Sequence, residues 1–258
     1  MFKQIKRIVL LPAALLIFYT GFAQDNTSNV IHITTDLNKA IGDMTPIWAW
    51  FGYDEPNYTY MKDGKKLLTE IGALSPVPVH IRAHNMLTTG DGKAAMKWGS
   101  TNAYTEDAAR NPIYNWTLVD SIFDTYVKRG LKPMAEISFM PEALSVKPQP
   151  YAHDWKPGEN YNKIYTGWRY PPNDYNKWAA LIYEWVKHSI ARYGKPEVES
   201  WYWELWNEPD IAYWGGTMRE YFKLYDYTAD AVKRALQRLR SAGRIQQAPW
   251  AGVQAIDF

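Results

Sequence analysis

The chain has 258 residues, with 29 Lys and Arg against 27 Asp and Glu and no cysteine. That rules out disulfides and thiolate metal sites, and a formal net charge of +2 offers no basic footprint for nucleic acid. The unusual feature is 13 Trp and 19 Tyr, flat faces that pack helices on strands and also stack on the apolar faces of pyranose rings.

Residues 1–23 read as a secretory signal peptide. Lys3, Lys6 and Arg7 form a basic start, Ile8 to Phe18 an apolar run, and Gly21 and Ala23 the small residues before a cut after Ala23. An uncleaved anchor is the alternative, but the run is shorter than the ~20 residues that a span needs. Cleavage leaves a net charge near −1 and places the mature protein in the periplasm or outside a bacterial cell, away from the membrane. A chain this long can rely on its core there without disulfides. Residues 24–45 form a lead-in that opens with a polar stretch, Gln24 to Asn29.

Strands and helices then alternate, which predicts a parallel sheet wrapped by helices. Pro46 to Gly52 reads as the first strand and Lys62 to Ile71 as a helix stopped at Gly72. Val77 to Asn85 is the second strand. Thr117 to Arg129 is a helix with Thr117 as N-cap and Gly130 beyond its end. Leu131 to Ser138 is the third strand, and Phe139 to Asn173 is a connection long enough to be functional. Asp174 caps a helix that places Trp178, Leu181, Trp185 and Ile190 at helical spacing and ends at Gly194. Val198 to Trp206 is the fourth strand, which Pro209 forces to end near Glu208. Thr217 to Glu220 is a capping box opening a last helix, with Phe222, Leu224, Tyr225, Thr228, Val232 and Leu236 on its buried face.

Side-chain alternation sorts the strands into outer and inner faces. Val79, Ile81, Ala83, Ala135, Ile137, Trp203 and Leu205 face the helices. His80, Arg82, His84, Met134, Glu136, Ser138, Tyr202, Glu204, Trp206 and Glu208 face inward. A buried charge must be paired, so Arg82, Glu136 and Glu204 read as a structural ion network. His80 and His84 lie ~13 Å apart along their strand, too far to share a metal.

Glu208 sits beyond the network, at the carboxyl end of a strand, where a barrel enzyme displays its chemistry. An isolated strand-end Glu is usually a surface or salt-bridge residue. Here its frame, Trp203-Glu204-Leu205-Trp206-Asn207-Glu208-Pro209-Asp210, resembles the acid/base strand of retaining glycoside hydrolases built on (β/α)8 barrels. Such enzymes need two carboxylates about 5–5.5 Å apart. Glu208 fits the acid/base, with aromatic neighbours able to raise its pKa. Asn207 could bond the sugar 2-hydroxyl, although simple alternation turns it outward, so the role requires a twist or bulge at the strand end.

The wider pattern resembles glycoside hydrolase family 39. It is carried by His80-Ile-Arg-Ala-His84, Tyr114-Asn-Trp-Thr-Leu-Val-Asp120, Gly130-Leu-Lys-Pro-Met-Ala-Glu136 with Phe139-Met-Pro-Glu-Ala-Leu144, Pro171-Pro-Asn-Asp-Tyr-Asn-Lys-Trp178 and Glu220-Tyr-Phe-Lys-Leu-Tyr-Asp226. That family contains β-xylosidases and α-L-iduronidases acting with retention. The resemblance implies Glu208 as acid/base, His84 and Asn207 as sugar-binding residues, and Phe139 and Trp214 as subsite walls. It implies no cofactor and no metal, and an oligo- or polysaccharide as partner. No motif bears on oligomeric state. One departure follows His84: the family usually has Gly and then acidic residues, where this chain has Asn85-Met-Leu-Thr-Thr-Gly-Asp-Gly92.

Four βα units occupy residues 46–236, and a complete barrel has eight. The expectation is therefore the N-terminal half of the catalytic domain, without the family's nucleophile, which lies on the seventh strand, and so inactive as given. The pattern vanishes after Leu236. A shift of reading frame would account for residues 237–258, since Arg238 to Arg244 could then encode Ala-Ala-Pro-Ile-Gly-Gly-Pro. The expected function is a retaining O-glycosidase of β-xylosidase type. The alternatives are a β-glucanase or mannanase of the same barrel class and a non-catalytic carbohydrate-binding fragment.

Overall fold

The computed structural model describes residues 31–237; the expected signal peptide, the polar stretch after it and residues 238–258 of the aberrant tail lie outside the described residues. The chain divides into two compact units, Met1–Met44 and Thr45–Phe258. Residues 31–44 contain one turn and neither helix nor strand. Among the described residues no helix is long and apolar enough to cross a membrane.

In the second unit, β1 (Trp50–Tyr53), β2 (His80–Ala83), β5 (Lys132–Glu136) and β6 (Tyr202–Glu204) form one parallel sheet in the order β1-β2-β5-β6. Helices α1 (Lys62–Leu74), α2 (Thr117–Val127) and α3 (Tyr175–Tyr193) connect successive strands, and α5 (Met218–Gln237) follows β6. This is the strand–helix alternation of a (β/α)8 barrel, with four of its units in the described residues. The register sets Arg82 level with Met134 and Tyr202, and Glu136 level with Glu204.

Local signals fix the helix ends. Asp174 Oδ1 accepts from the N–H groups of Asn176 and Lys177 at 2.8 and 3.2 Å, satisfying two donors of the first turn of α3. The helix stops at Gly194, whose φ of +84° suits a residue without Cβ. At α5, Thr217 Oγ1 accepts from the Glu220 N–H at 3.2 Å while Glu220 Oε2 accepts from the Thr217 N–H at 2.7 Å, a reciprocal capping box. Between helices and sheet, Trp178, Leu181, Ile182, Trp185 and Val186 of α3 are all buried. Trp185 stands edge-on to Phe123 at 5.8 Å and Trp203 at 5.5 Å, tying α2, α3 and β6 together. Trp178 donates its indole N–H to Thr228 on α5 at 2.8 Å.

Several boundaries differ from the sequence reading. The strands are shorter: β1 begins at Trp50 rather than Pro46, β2 covers only His80–Ala83, and β5 ends at Glu136. Val198 closes a short helix, α4 (Lys195–Val198), with Pro196 in its first turn, so β6 starts only at Tyr202. Helix α1 runs through Gly72 to Leu74; an interior Gly costs only ~1 kcal/mol, and a Cβ at Gly72 would come within 3.3 Å of Leu131. Thr117 is the first residue inside α2 rather than its cap, and Asn115 Oδ1 accepts the Thr117 N–H instead. Phe222 is 52% exposed: it lies two residues, about 200° of helix turn, from buried Leu224 and faces the other way. A hairpin of β3 (Tyr104–Glu106) and β4 (Pro112–Tyr114), which the sequence reading did not anticipate, sits between β2 and α2.

Candidate active site

The parity of β2, β5 and β6 brings Arg82, Glu136 and Glu204 together on the inner face of the sheet. Arg82 Nε donates to Glu204 Oε2 at 2.5 Å and Nη2 to Glu204 Oε1 at 2.9 Å, a bidentate fork. Glu136 Oε2 lies 3.0 Å from Arg82 Nη2, yet it is buried without a hydrogen bond, and Ser138 donates to the other carboxylate oxygen. One cation thus faces two carboxylates of which neither touches solvent. Burial pushes both Glu136 and Glu204 up to about 7. Arg82 opposes that rise at both. Arg82 itself is held charged: burial works against it, but Glu136 and Glu204 outweigh that cost.

Above this layer the network continues to the mouth. Arg82 Nη2 also donates to Asn207 Oδ1 at 2.9 Å, and Arg82 Nη1 hydrogen-bonds His84 Nε2. Asn207 is therefore turned inward, against simple alternation. At the next residue, Glu208 has φ +47°, a left-handed conformation unusual for a residue with Cβ. Such a strained position is a pointer to function. Glu208 is exposed at the strand end, with Tyr213 within electrostatic reach of its carboxylate. Asn207 Nδ2 approaches Glu208 Oε2 at 3.4 Å. His84 is pushed down to about 4, by burial first and the Arg82 charge second. His80 lies at the other end of β2, its ring stacked on Trp50 at 4.3 Å. No group of three or more acidic or histidine side chains among the described residues is arranged to hold a metal.

Beside His84 the loops after β1, β2, β5 and β6 enclose a cavity of about 20 Å³, lined by Asp54, His84, Asn85, Lys97, Trp98, Phe139, Ile164, Trp168 and Tyr213. That is room for about one water molecule. Phe139 packs against Trp168 at 4.3 Å and Tyr213 at 5.7 Å. The long segment after β5 reaches back to deliver Trp168: Met140 N–H donates to the Trp168 carbonyl at 3.0 Å, and Tyr151 spans Thr89 and Met140. Trp214 does not line the cavity. It is buried between Trp206 (5.3 Å) and Tyr221 (5.4 Å), donating its N–H to Thr217. Its neighbour Tyr213 lines the cavity instead, and the Trp206 indole N–H donates to the Tyr213 carbonyl, closing the loop back on β6. Asp54 and Lys97, paired at 2.7 Å, complete the rim.

The sequence matches the model of glycosyl hydrolases family 39 over residues 32–251, most of the chain. The chain belongs to glycoside hydrolase family 39. It is 44% identical over 127 residues to a β-xylosidase of Caldicellulosiruptor saccharolyticus, a match covering 48% of this chain and 24% of that protein. It is 38% identical over 169 residues to a β-xylosidase of Geobacillus stearothermophilus, covering 64% and 29%. Among solved structures it resembles a monomeric β-xylosidase from Caulobacter crescentus (TM-score 0.57, 29% identity, 72% of this chain and 33% of that one). It also resembles a family 39 enzyme from Xanthomonas axonopodis pv. citri (TM-score 0.56, 29% identity, 72% and 32%). The chain thus spans about a third or less of the lengths of these family 39 relatives. The departure after His84 now has a structural account. Asn85 has φ +61°, so it stands where the family usually has Gly and adopts a conformation that Asn tolerates better than other residues with Cβ.

Proposed function

We propose that this chain supplies the acid/base half of a retaining O-glycosidase site of β-xylosidase type, exported by its N-terminal signal. The observation that carries the reading is the end of β6, where Glu208 stands exposed at the barrel mouth while Asn207 is turned inward beside it. Glu208 protonates the leaving oxygen while a second carboxylate attacks the anomeric carbon. In the second step Glu208 takes a proton from water, which releases the sugar from the glycosyl-enzyme. Asn207 Nδ2 and His84 hold sugar hydroxyls, with Phe139, Trp168 and Tyr213 as the aromatic wall.

The second carboxylate belongs to the part of the barrel beyond these four strands. Glu136 and Glu204 are engaged with Arg82 beneath the mouth, and a retaining mechanism needs its pair within about 5.5 Å. The chain by itself should therefore hold sugar without turning it over. The experiment is hydrolysis of aryl β-xylosides by the purified protein, with Glu208→Ala as control. Turnover indistinguishable from the control is expected. A rate on the order of 1 s⁻¹, ordinary for an enzyme, that vanishes in the control would show that both carboxylates come from these residues.

A further inference from the structure

Arg82 does more than neutralise buried carboxylates. A guanidinium carries five N–H donors, has no acceptor and stays protonated, so each of its contacts runs in one direction only. Two of them leave the ion network. Nη2 reaches Asn207 Oδ1 at 2.9 Å, and Nη1 reaches His84 Nε2. The carbonyl end of the Asn207 amide must therefore face Arg82, which leaves Nδ2 on the Glu208 side, 3.4 Å from Oε2. His84 must present a bare lone pair at Nε2, which leaves its single proton on Nδ1. Among the described residues no hydrogen-bond partner for Nδ1 is found.

We infer that Arg82 is a positioning residue that locks His84 in the neutral Nδ1–H tautomer and Asn207 with its amide N–H groups toward Glu208, so that both offer donors to an oxygen-rich ligand at the mouth. The charges around the imidazole bear this out. Glu136 Oε2 stands 3.6 Å and Asp54 Oδ1 3.9 Å from Nε2, and Glu204 and Glu208 are within electrostatic reach. Asp54, Glu204 and Glu208 favour an imidazolium. Burial and the Arg82 charge outweigh them and keep the ring neutral. Lys97, the other cation at the rim, is engaged by Asp54 at 2.7 Å. The inference rests on the glycosidase reading only for the identity of the ligand.

The test is ¹⁵N NMR of the imidazole rings in the whole protein, with His84 assigned through His84→Gln, followed by titration with xylobiose. In the unaltered protein His84 should be neutral and Nδ1-protonated from pH 6 to 8, and an Nε2–H ring there overturns the proposal. Arg82→Met alone leaves buried carboxylates uncompensated and can unfold the chain. Arg82→Met with Glu204→Met removes the charged pair together, a replacement that buried ion pairs often tolerate. In that double variant the ring should move to the Nε2–H tautomer, and xylobiose affinity should fall about tenfold, the loss of one hydrogen bond of ~1.4 kcal/mol. A ring that keeps its Nδ1 proton in the folded double variant also overturns the proposal. An Nδ1–H ring in the unaltered protein that xylobiose does not shift upholds the positioning role and counts against the glycosidase reading instead.

Discussion

At the scale of single residues, the site is built by making side chains do what strand alternation and hydration would not. His84 is the clearest case, since its ordinary pKa of 6.5 falls to about 4 in the fold. A histidine whose folded pKa is depressed contributes stability that is fully present above about pH 6.5 and is lost as pH falls toward 4. At about 1.4 kcal/mol per pKa unit, the share is about 2–4 kcal/mol. Glu136 runs the other way. Its folded pKa of about 7 lies above the ordinary 4.5, so its share is present below 4.5 and disappears as pH rises through 7. Denaturant melts of the unaltered protein and of His84→Gln separate the two. The stability gap between them should shrink by about 2–4 kcal/mol from pH 7 to pH 4, and a gap independent of pH would contradict a buried neutral imidazole.

At the scale of elements, packing of aromatic side chains between helices and sheet carries the fold. Trp185 is fully buried against Phe123 and Trp203, yet its indole N–H has no hydrogen-bond partner. Trp185→Ala should cost about 3–5 kcal/mol through the cavity it leaves. Trp185→Phe should cost much less, because it also removes an unsatisfied donor whose burial costs ~1–3 kcal/mol. Equal destabilisation by the two, measured by urea melts, would contradict this balance. The ends of α3 and the start of α5 were legible because capping is local: Asp174, Gly194 and the Thr217–Glu220 box each act within three residues, whereas Gly72 did not stop α1 and Thr117 did not cap α2. Strand ends were not, because pairing depends on the neighbouring strand and on competing helix signals such as Pro196. Parity placed Arg82, Glu136 and Glu204 on one interior from sequence alone. It could not place Asn207, which lies beyond the last regular strand residue, Glu204, and turns toward Arg82, nor choose Tyr213 over Trp214 as the cavity-lining residue in a turn where no periodicity applies. Trp168 and Ile164 were visible only as members of a long aromatic segment after the third strand, and nothing local marked Asp54 or Lys97.

At the scale of the molecule, four parallel strands make one sheet, with β2 and β5 paired on both sides and β1 and β6 paired on one side each among the described residues. Unpaired strand edges open most easily. Hydrogen exchange should therefore protect the amides of Ile81, Arg82 and Ala135 more strongly than those of Trp50 to Gly52, and uniform protection across the sheet would show that the edge strands are covered. That same sheet carries Glu208, Asn207 and His84 at its carboxyl end, and the assignment of Glu208 as the acid/base is the central claim. Its most direct measurement compares leaving groups in a protein carrying all eight strands. Glu208→Ala should lower kcat/KM on xylobiose by 10²–10⁴-fold, the ordinary contribution of a general acid. The loss on an activated aryl xyloside, whose leaving group needs no proton, should be far smaller. Equal losses on the two substrates would contradict the assignment of Glu208 as the acid/base.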